Sequence, residues 1–260
     1  MYLSYNSDMG LVRQENQDKI CAGFLADNIA LAVVCDGMGG ASSGSVASDI
    51  AATEIYRRIM SGFNPNMKPS SIRNLLETAV SAANTIVYEK SKEDIETYGM
   101  GTTCVVALVV GKCAHIINVG DSRAYLLNTD GISQITEDHT YVNMLYKHGE
   151  ITYDEMINHK MKNIITRAIG VDSTVEPDYY EIEESGNFDI FLCTDGLYNY
   201  CQPQIIYESV FNKNLDNGVS DLIDYSNACG GRDNISAAVI ANWGKQNRNR
   251  SSTEQELKIL

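Results

Sequence analysis

The sequence predicts an α+β fold with antiparallel sheet. Three observations point there: short β-rich runs broken by turn residues between 101 and 135, two long helical stripes ahead of them, and two apolar runs, 30–35 and 188–193, that each stop at an Asp-Gly pair.

Residues 1–18 read as a polar strand with a turn at Asp8-Met9-Gly10, and Arg13 and Asp18, taken alone, read as a solvated surface pair. The run 30–35 ends at Asp36, where Gly37, Gly39, Gly40 and Gly44 let the backbone turn and let an ion, a water or a phosphate approach the main chain. A lone Asp-Gly pair would only open a turn. Residues 45–60 place Val46, Ala47, Ile50, Ala51, Ile55 and Ile59 on one helical face. Asn64-Pro65-Asn66 ends that helix, and Ser70 or Ser71 caps a second one bearing Ile72, Leu75, Leu76, Ala79, Val80, Ala83 and Ile86. The extended runs 102–110, 114–119, 124–127 and 132–135 then read as a meander, with Asp121 in one of its turns. Residues 138–162 are polar, with weak helical periodicity and no strand pattern. The run 188–193 leads to Asp195, helical stretches follow at 204–211 and 219–229, and Asp233 precedes a last strand over 235–241. The length allows one large domain or two small ones, and a loosely ordered polar tail, 243–260, is expected.

Bulk properties narrow the function classes. An apolar content of 44% with four prolines argues against disorder, and a chain of 260 residues can bury about three quarters of its extended surface. The net charge of −14 disfavours nucleic acid and favours cations, divalent metals being the simplest. Seven cysteines in apolar runs such as those of Cys35, Cys104 and Cys193 fit reduced core thiols better than disulfides or zinc. No secretory signal opens the chain, and its apolar runs fall short of the roughly 20 residues that span a bilayer. A cytoplasmic protein without a membrane span is expected.

Asp36, Asp121, Asp195 and Asp233 each sit at the edge of an apolar β run beside a glycine-containing turn. Two carboxylates about 4 Å apart repel by roughly 4 kcal/mol at an effective dielectric of 20, so such a cluster needs cations. Oxygen donors without supporting histidines or thiolates favour Mg²⁺ or Mn²⁺ over zinc. Two such ions can activate a bridging water and clamp a phosphoryl group, and Arg13 could grip the remaining phosphate oxygens through two parallel hydrogen bonds.

Seven motifs occur in order: Gly10-Leu11-Val12-Arg13 with Asn16 and Asp18; Asp36-Gly37-Met38-Gly39-Gly40; Gly101-Thr102-Thr103; Gly120-Asp121-Ser122-Arg123; Glu137-Asp138-His139-Thr140; Thr194-Asp195-Gly196-Leu197; and Gly231-Arg232-Asp233-Asn234. As an ordered set they resemble the metal-dependent protein serine/threonine phosphatases of the type 2C family, especially its compact bacterial members, over nearly the whole chain. The resemblance implies a central antiparallel β-sandwich flanked by helices on both faces, with the metal site in a cleft at one end. It implies that Asp36 bridges two Mn²⁺ or Mg²⁺ ions, that the Gly37 carbonyl binds one of them, and that Asp195 and Asp233 complete one coordination sphere. Asp18 would accept from metal-bound water without itself touching an ion, Arg13 would hold the phosphate, Asp121 would bind a third, weaker ion, and 138–162 would form the family's flap. Phosphorylated proteins are the implied substrates, a eukaryotic-like serine/threonine kinase the implied opponent, and a monomer the expected state. Met38 stands where eukaryotic relatives often carry a histidine proposed as general acid, and a thioether has no proton to give. Gln17 and Asn199 stand where some relatives carry carboxylates.

Two rivals are a catalytically silent binding module, disfavoured by the intact Asp18, Asp36, Asp195, Asp233 and Arg13, and an acid-cluster nuclease, disfavoured by the charge and the lack of a basic groove. Gly39 to Ser45 mimics a phosphate-binding loop but lacks its lysine.

Overall fold

The computed structural model describes residues 1–40, 43–211 and 215–242; the expected polar tail lies outside them. In chain order the elements are β1 (Tyr2–Asp8), β2 (Asp18–Ala26), β3 (Ile29–Met38), α1 (Ser43–Gly62), α2 (Pro69–Lys90), β4 (Gly101–Thr102), β5 (Cys104–Val110), β6 (Cys113–Val119), β7 (Arg123–Asn128) and β8 (Gly131–Gln134). Then come α3 (Tyr141–Lys147), α4 (Tyr153–Ile157), β9 (Asp178–Glu183), β10 (Asp189–Cys193), α5 (Asp195–Tyr198), α6 (Pro203–Val210), α7 (Leu215–Ala228) and β11 (Ile235–Ala241).

Two antiparallel sheets, ordered β1-β11-β10-β7-β8 and β2-β3-β5-β6-β9, pack face to face; the short β4 pairs with β3. Strand alternation sorts the side chains. Ala30, Ala32 and Val34 of β3 and Val105, Ala107 and Val109 of β5 face inward and meet Ile190, Leu192, Ala238 and Ile240 of the opposite sheet and Phe188, the residue before β10. Leu31, Val33 and Cys35 point outward onto α1 and α2, which bury Ala47, Ala51, Ile55 and Ile59 and Ile72, Leu76, Val80 and Ala83 against them. Phe191, Cys193, Ala237 and Val239 face outward on the other sheet, against Leu197, Ile206, Leu222 and Ile223 of the C-terminal helices. The outcome is the expected sandwich between helical layers.

Two strands escaped the sequence reading. β2 and β9 lie on sheet edges and are largely half-buried, so neither carries a strong period-2 pattern. The polar stretch after β8 contains two short helices, each opened by a threonine: Thr140 caps α3, and Thr152 forms a capping box with Glu155 on α4. Its two stems are joined by hydrogen bonds from Tyr141 N–H to Ile164 O (2.8 Å) and from Thr166 N–H to His139 O (2.8 Å).

The inner face carries the stability. Ile190→Ala, which empties a fully buried site between the sheets, should cost about 2–5 kcal/mol in urea unfolding. Ile95→Ala, at a residue 94% exposed, should stay within about 0.5 kcal/mol.

Candidate active site

Strand polarity gathers the acids. β2 begins at Asp18, β3 nears its end at Asp36, β6 ends before Asp121, β10 ends before Asp195 and β11 begins after Asp233, and antiparallel pairing brings all of these termini to one end of the sandwich. Asp18 pairs directly with Asp36 across β2 and β3, so the two side chains share one face. That face is the inner one, because Asp36 continues the alternation of Ala32 and Val34.

Each aspartate has its own support. Thr194 stands at the N-cap position of α5 without capping it; its hydroxyl instead donates to Asp18 Oδ2 at 2.9 Å. Asn199 Nδ2 donates to Asp195 Oδ2 at 3.2 Å. Asp36 is fixed through its backbone: its N–H donates to Thr103 Oγ1 (2.9 Å), and its carbonyl accepts from Thr103 N–H (2.8 Å) and Thr102 Oγ1 (2.8 Å). At Gly37 a Cβ would collide with the Gly44 carbonyl and lie 2.7 Å from the Gln17 carbonyl, so only glycine lets these three segments close. Asn234 pins the Arg13 loop, donating from Nδ2 to Met9 O and Glu15 O (2.9 Å each) and accepting from Gln17 N–H at 2.8 Å.

Arg13 does not pair with Asp18. Its guanidinium meets Asp233, with Nη2 to Oδ1 at 2.8 Å and to Oδ2 at 2.9 Å, and the two side chains are 49% and 34% exposed. Asp18 is buried instead. Around the rim, Arg123 grips Asp138 from Nε (3.0 Å to Oδ1) and Nη2 (2.7 Å to Oδ2) while stacking 3.6 Å above the Tyr198 ring.

The electrostatics are those of crowded carboxylates. Burial, reinforced by Asp195 and Asp233 and opposed by the Ser236 and Thr194 hydroxyls, pushes Asp18 up to about 7. Burial and the charges of Asp195 and Asp138 push Asp121 to about 7, and burial and Asp233 push Asp195 to about 6. Asp36 is pushed well above the carboxylate range by burial and then by Asp18, Asp195, Asp121 and Asp233 together.

The donor set fits hard divalent cations. Asp18 Oδ1 and Asp195 Oδ1 are buried without a hydrogen-bond partner, so each has a lone pair free for a cation or a water. Among the described residues, no three His, Cys, Asp or Glu side chains close into a ready-made cage. Ions that keep several waters and bind through one or two carboxylates each do not require such a cage.

The family profile of protein phosphatase 2C matches residues 12–237. The chain belongs to the protein phosphatase 2C family. It is 32% identical over 241 residues to the serine/threonine phosphatase stp of Listeria monocytogenes, covering 92% of this chain and 95% of that one. The crystal structure of the serine/threonine phosphatase Stp1 from Staphylococcus aureus superposes with a TM-score of 0.85 at 34% identity, covering 93% of this chain and 95% of that one. The catalytic domain of PstP, solved in complex with two manganese ions, superposes with a TM-score of 0.78 at 30% identity, covering 92% of this chain and 96% of that one.

This protein serine/threonine phosphatase brings Asp18, Asp36, Asp121, Asp195, Asp233, Gly37 and Arg13 to one end of the sandwich. Sequence reading assigned no role to Thr194, Thr103 or Asn234, although each belonged to a quoted motif; their hydroxyl and amide groups beside the acids were the available signal.

The raised carboxylates set a pH dependence. Their folded values lie above the ordinary 3.8, so the ion-free folded chain binds more protons than the unfolded one between about pH 4 and 7, and stability falls as pH rises across that window. The thermal midpoint of the chelated protein should be lower at about pH 8 than at about pH 5.5, and Mn²⁺ should raise it most at the higher pH. A midpoint that climbs with pH without ions would contradict the crowding.

Proposed function

We propose that the aspartate cluster is a binuclear Mn²⁺ or Mg²⁺ centre that hydrolyses phosphoserine and phosphothreonine on proteins without a covalent phosphoenzyme. The observation that carries this reading is the pair of partnerless buried oxygens, Asp18 Oδ1 and Asp195 Oδ1, among acids that burial and then one another's charge push above the carboxylate range. Asp36 would bridge the two ions, with the Gly37 carbonyl, Asp195 and Asp233 as further ligands, and Asp121 would hold a third, weaker ion. The ions would supply a water or hydroxide of lowered pKa between them and a positive field for the transferred phosphoryl group.

The remaining steps belong to the chain. Asp18, held at Oδ2 by Thr194, presents Oδ1 to accept a hydrogen bond from the attacking water. Arg13 binds the non-reacting phosphate oxygens. Its pair with Asp233 is exposed on both sides, so it is worth at most about 1 kcal/mol and exchanges readily for a doubly charged phosphate. The phosphoester O–P bond breaks as water adds to phosphorus, giving a free serine or threonine hydroxyl and inorganic phosphate. Met38 donates no proton to the leaving oxygen. The two-manganese complex of PstP supports the ion count. We further assign residues 1–242 to one domain, 138–162 to a flap beside the cleft, and the protein to the cytoplasm as a monomer opposing a serine/threonine kinase. No helix among the described residues is long and apolar enough to cross a membrane.

Phosphate release from a phosphothreonine peptide should require Mn²⁺ or Mg²⁺ and stop with EDTA, and Asp195→Asn should lower it by about 100-fold or more. Turnover that survives both interventions would overturn the two-ion mechanism. Arg13→Ala should raise KM about tenfold, the effect expected on losing a charge-assisted phosphate contact.

A further inference from the structure

All four polar groups of His139 are engaged, and two of them, the backbone N–H and Nδ1, join the 138–166 segment to the turn that carries Asp121. Its N–H donates to Gly120 O (3.0 Å), Gly120 N–H donates back to Nδ1 (3.0 Å), and its carbonyl accepts from Thr166 N–H (2.8 Å). Because Nδ1 accepts from a backbone donor, the proton of the neutral ring lies on Nε2, where Asp178 Oδ2 accepts it at 3.1 Å. Arg167 Nη1 braces Asp178 through Oδ1 at 2.7 Å, donates to Glu176 O at 2.9 Å and lies 3.0 Å from Nε2 itself, a contact between two donors that Asp178, accepting from both, holds together. The histidine is only 7% exposed, so water competes little for these bonds.

Gly120 passes the constraint on. It has φ +104°, and a Cβ there would lie 2.7 Å from the Thr103 side chain, the same residue that holds both backbone groups of Asp36. A shift of Gly120 therefore moves Asp121 directly and presses on the support of Asp36.

We propose that His139 is a positioning residue whose imidazole, spanning Gly120 and Asp178, couples the placement of the 138–166 segment to ion binding at Asp121. The functional half rests on the reading of Asp121 as an ion ligand; the coupling of ring to turn does not.

Two substitutions separate the ends of the ring. His139→Asn keeps an acceptor near Nδ1 for Gly120, whereas His139→Gln keeps a donor near Nε2 for Asp178 and leaves the Gly120 N–H unpaired. In the chelated full-length protein, the Gly120 amide should exchange hydrogen about tenfold faster in the Gln variant and near the wild-type rate in the Asn variant. The Mn²⁺ concentration giving half-maximal phosphopeptide turnover should rise about tenfold in the Gln variant, with kcat at saturating Mn²⁺ little changed. Equal Gly120 exchange in the two variants, or faster exchange with an unmoved Mn²⁺ requirement, overturns the proposal. Should the Gln variant fail to fold, Asp178→Ala frees the far end of the ring: Gly120 exchange and the Mn²⁺ requirement should rise together, and either one moving alone overturns the coupling. A wild type without turnover overturns the phosphatase reading and the functional half with it, while the exchange comparison still decides the mechanical half.

Discussion

The burial of aspartates close enough to repel one another is the constraint on which the rest of this structure depends. Asp18, Asp36, Asp121 and Asp195 all titrate above the carboxylate range, burial being the first cause in each case and a neighbouring acid a further one. A single pair at about 4 Å already costs roughly 4 kcal/mol at an effective dielectric of 20, a large share of the 5–15 kcal/mol by which domains are typically stable. The fold tolerates the cluster because the acids sit on strand ends whose interiors are secured elsewhere, by the alanine- and valine-rich inner faces and the two outer helix layers. Stability and function are divided along each strand: the middle packs, and the end carries charge.

The same division explains how the site is held. None of the supports reaches across the cluster with a buried counter-charge. Thr194, Thr103, Asn199 and Asn234 offer neutral hydrogen bonds. Arg13, which pairs with Asp233, stays on the wet rim. Neutral donors orient carboxylates without neutralising them, which leaves their charge available to cations and, through those, to phosphate. In a protein of net charge −14, bound ions would add positive charge at the cleft to that of Arg13 on its rim.

Much of this was legible in the sequence. The runs ending in Asp36 and Asp195 announced themselves because a strand buried on both faces is an unbroken apolar run, and the glycine after each acid marked the turn. β2 was hidden because it is an edge strand with few fully buried residues, and with it went the burial of Asp18. The partner of Arg13 was hidden for another reason: 220 positions separate Arg13 from Asp233, and no local pattern encodes a contact set by the register of β1 on β11. The capping box of α4 was written plainly as Thr152 and Glu155, yet the polar composition around it masked the helix. Local rules thus located the acids, while topology alone decided which side chains meet.

The likeness to phosphatases from Listeria and Staphylococcus places the activity, and the cluster's own chemistry supplies a reason for it. Isothermal titration of the chelated protein with Mn²⁺, compared with the same titration of Asp36→Asn, tests that chemistry most directly. The account predicts two ions bound per wild-type chain and loss of at least one of them in the variant. Binding of no ion, or a stoichiometry and affinity untouched by the substitution, would contradict it.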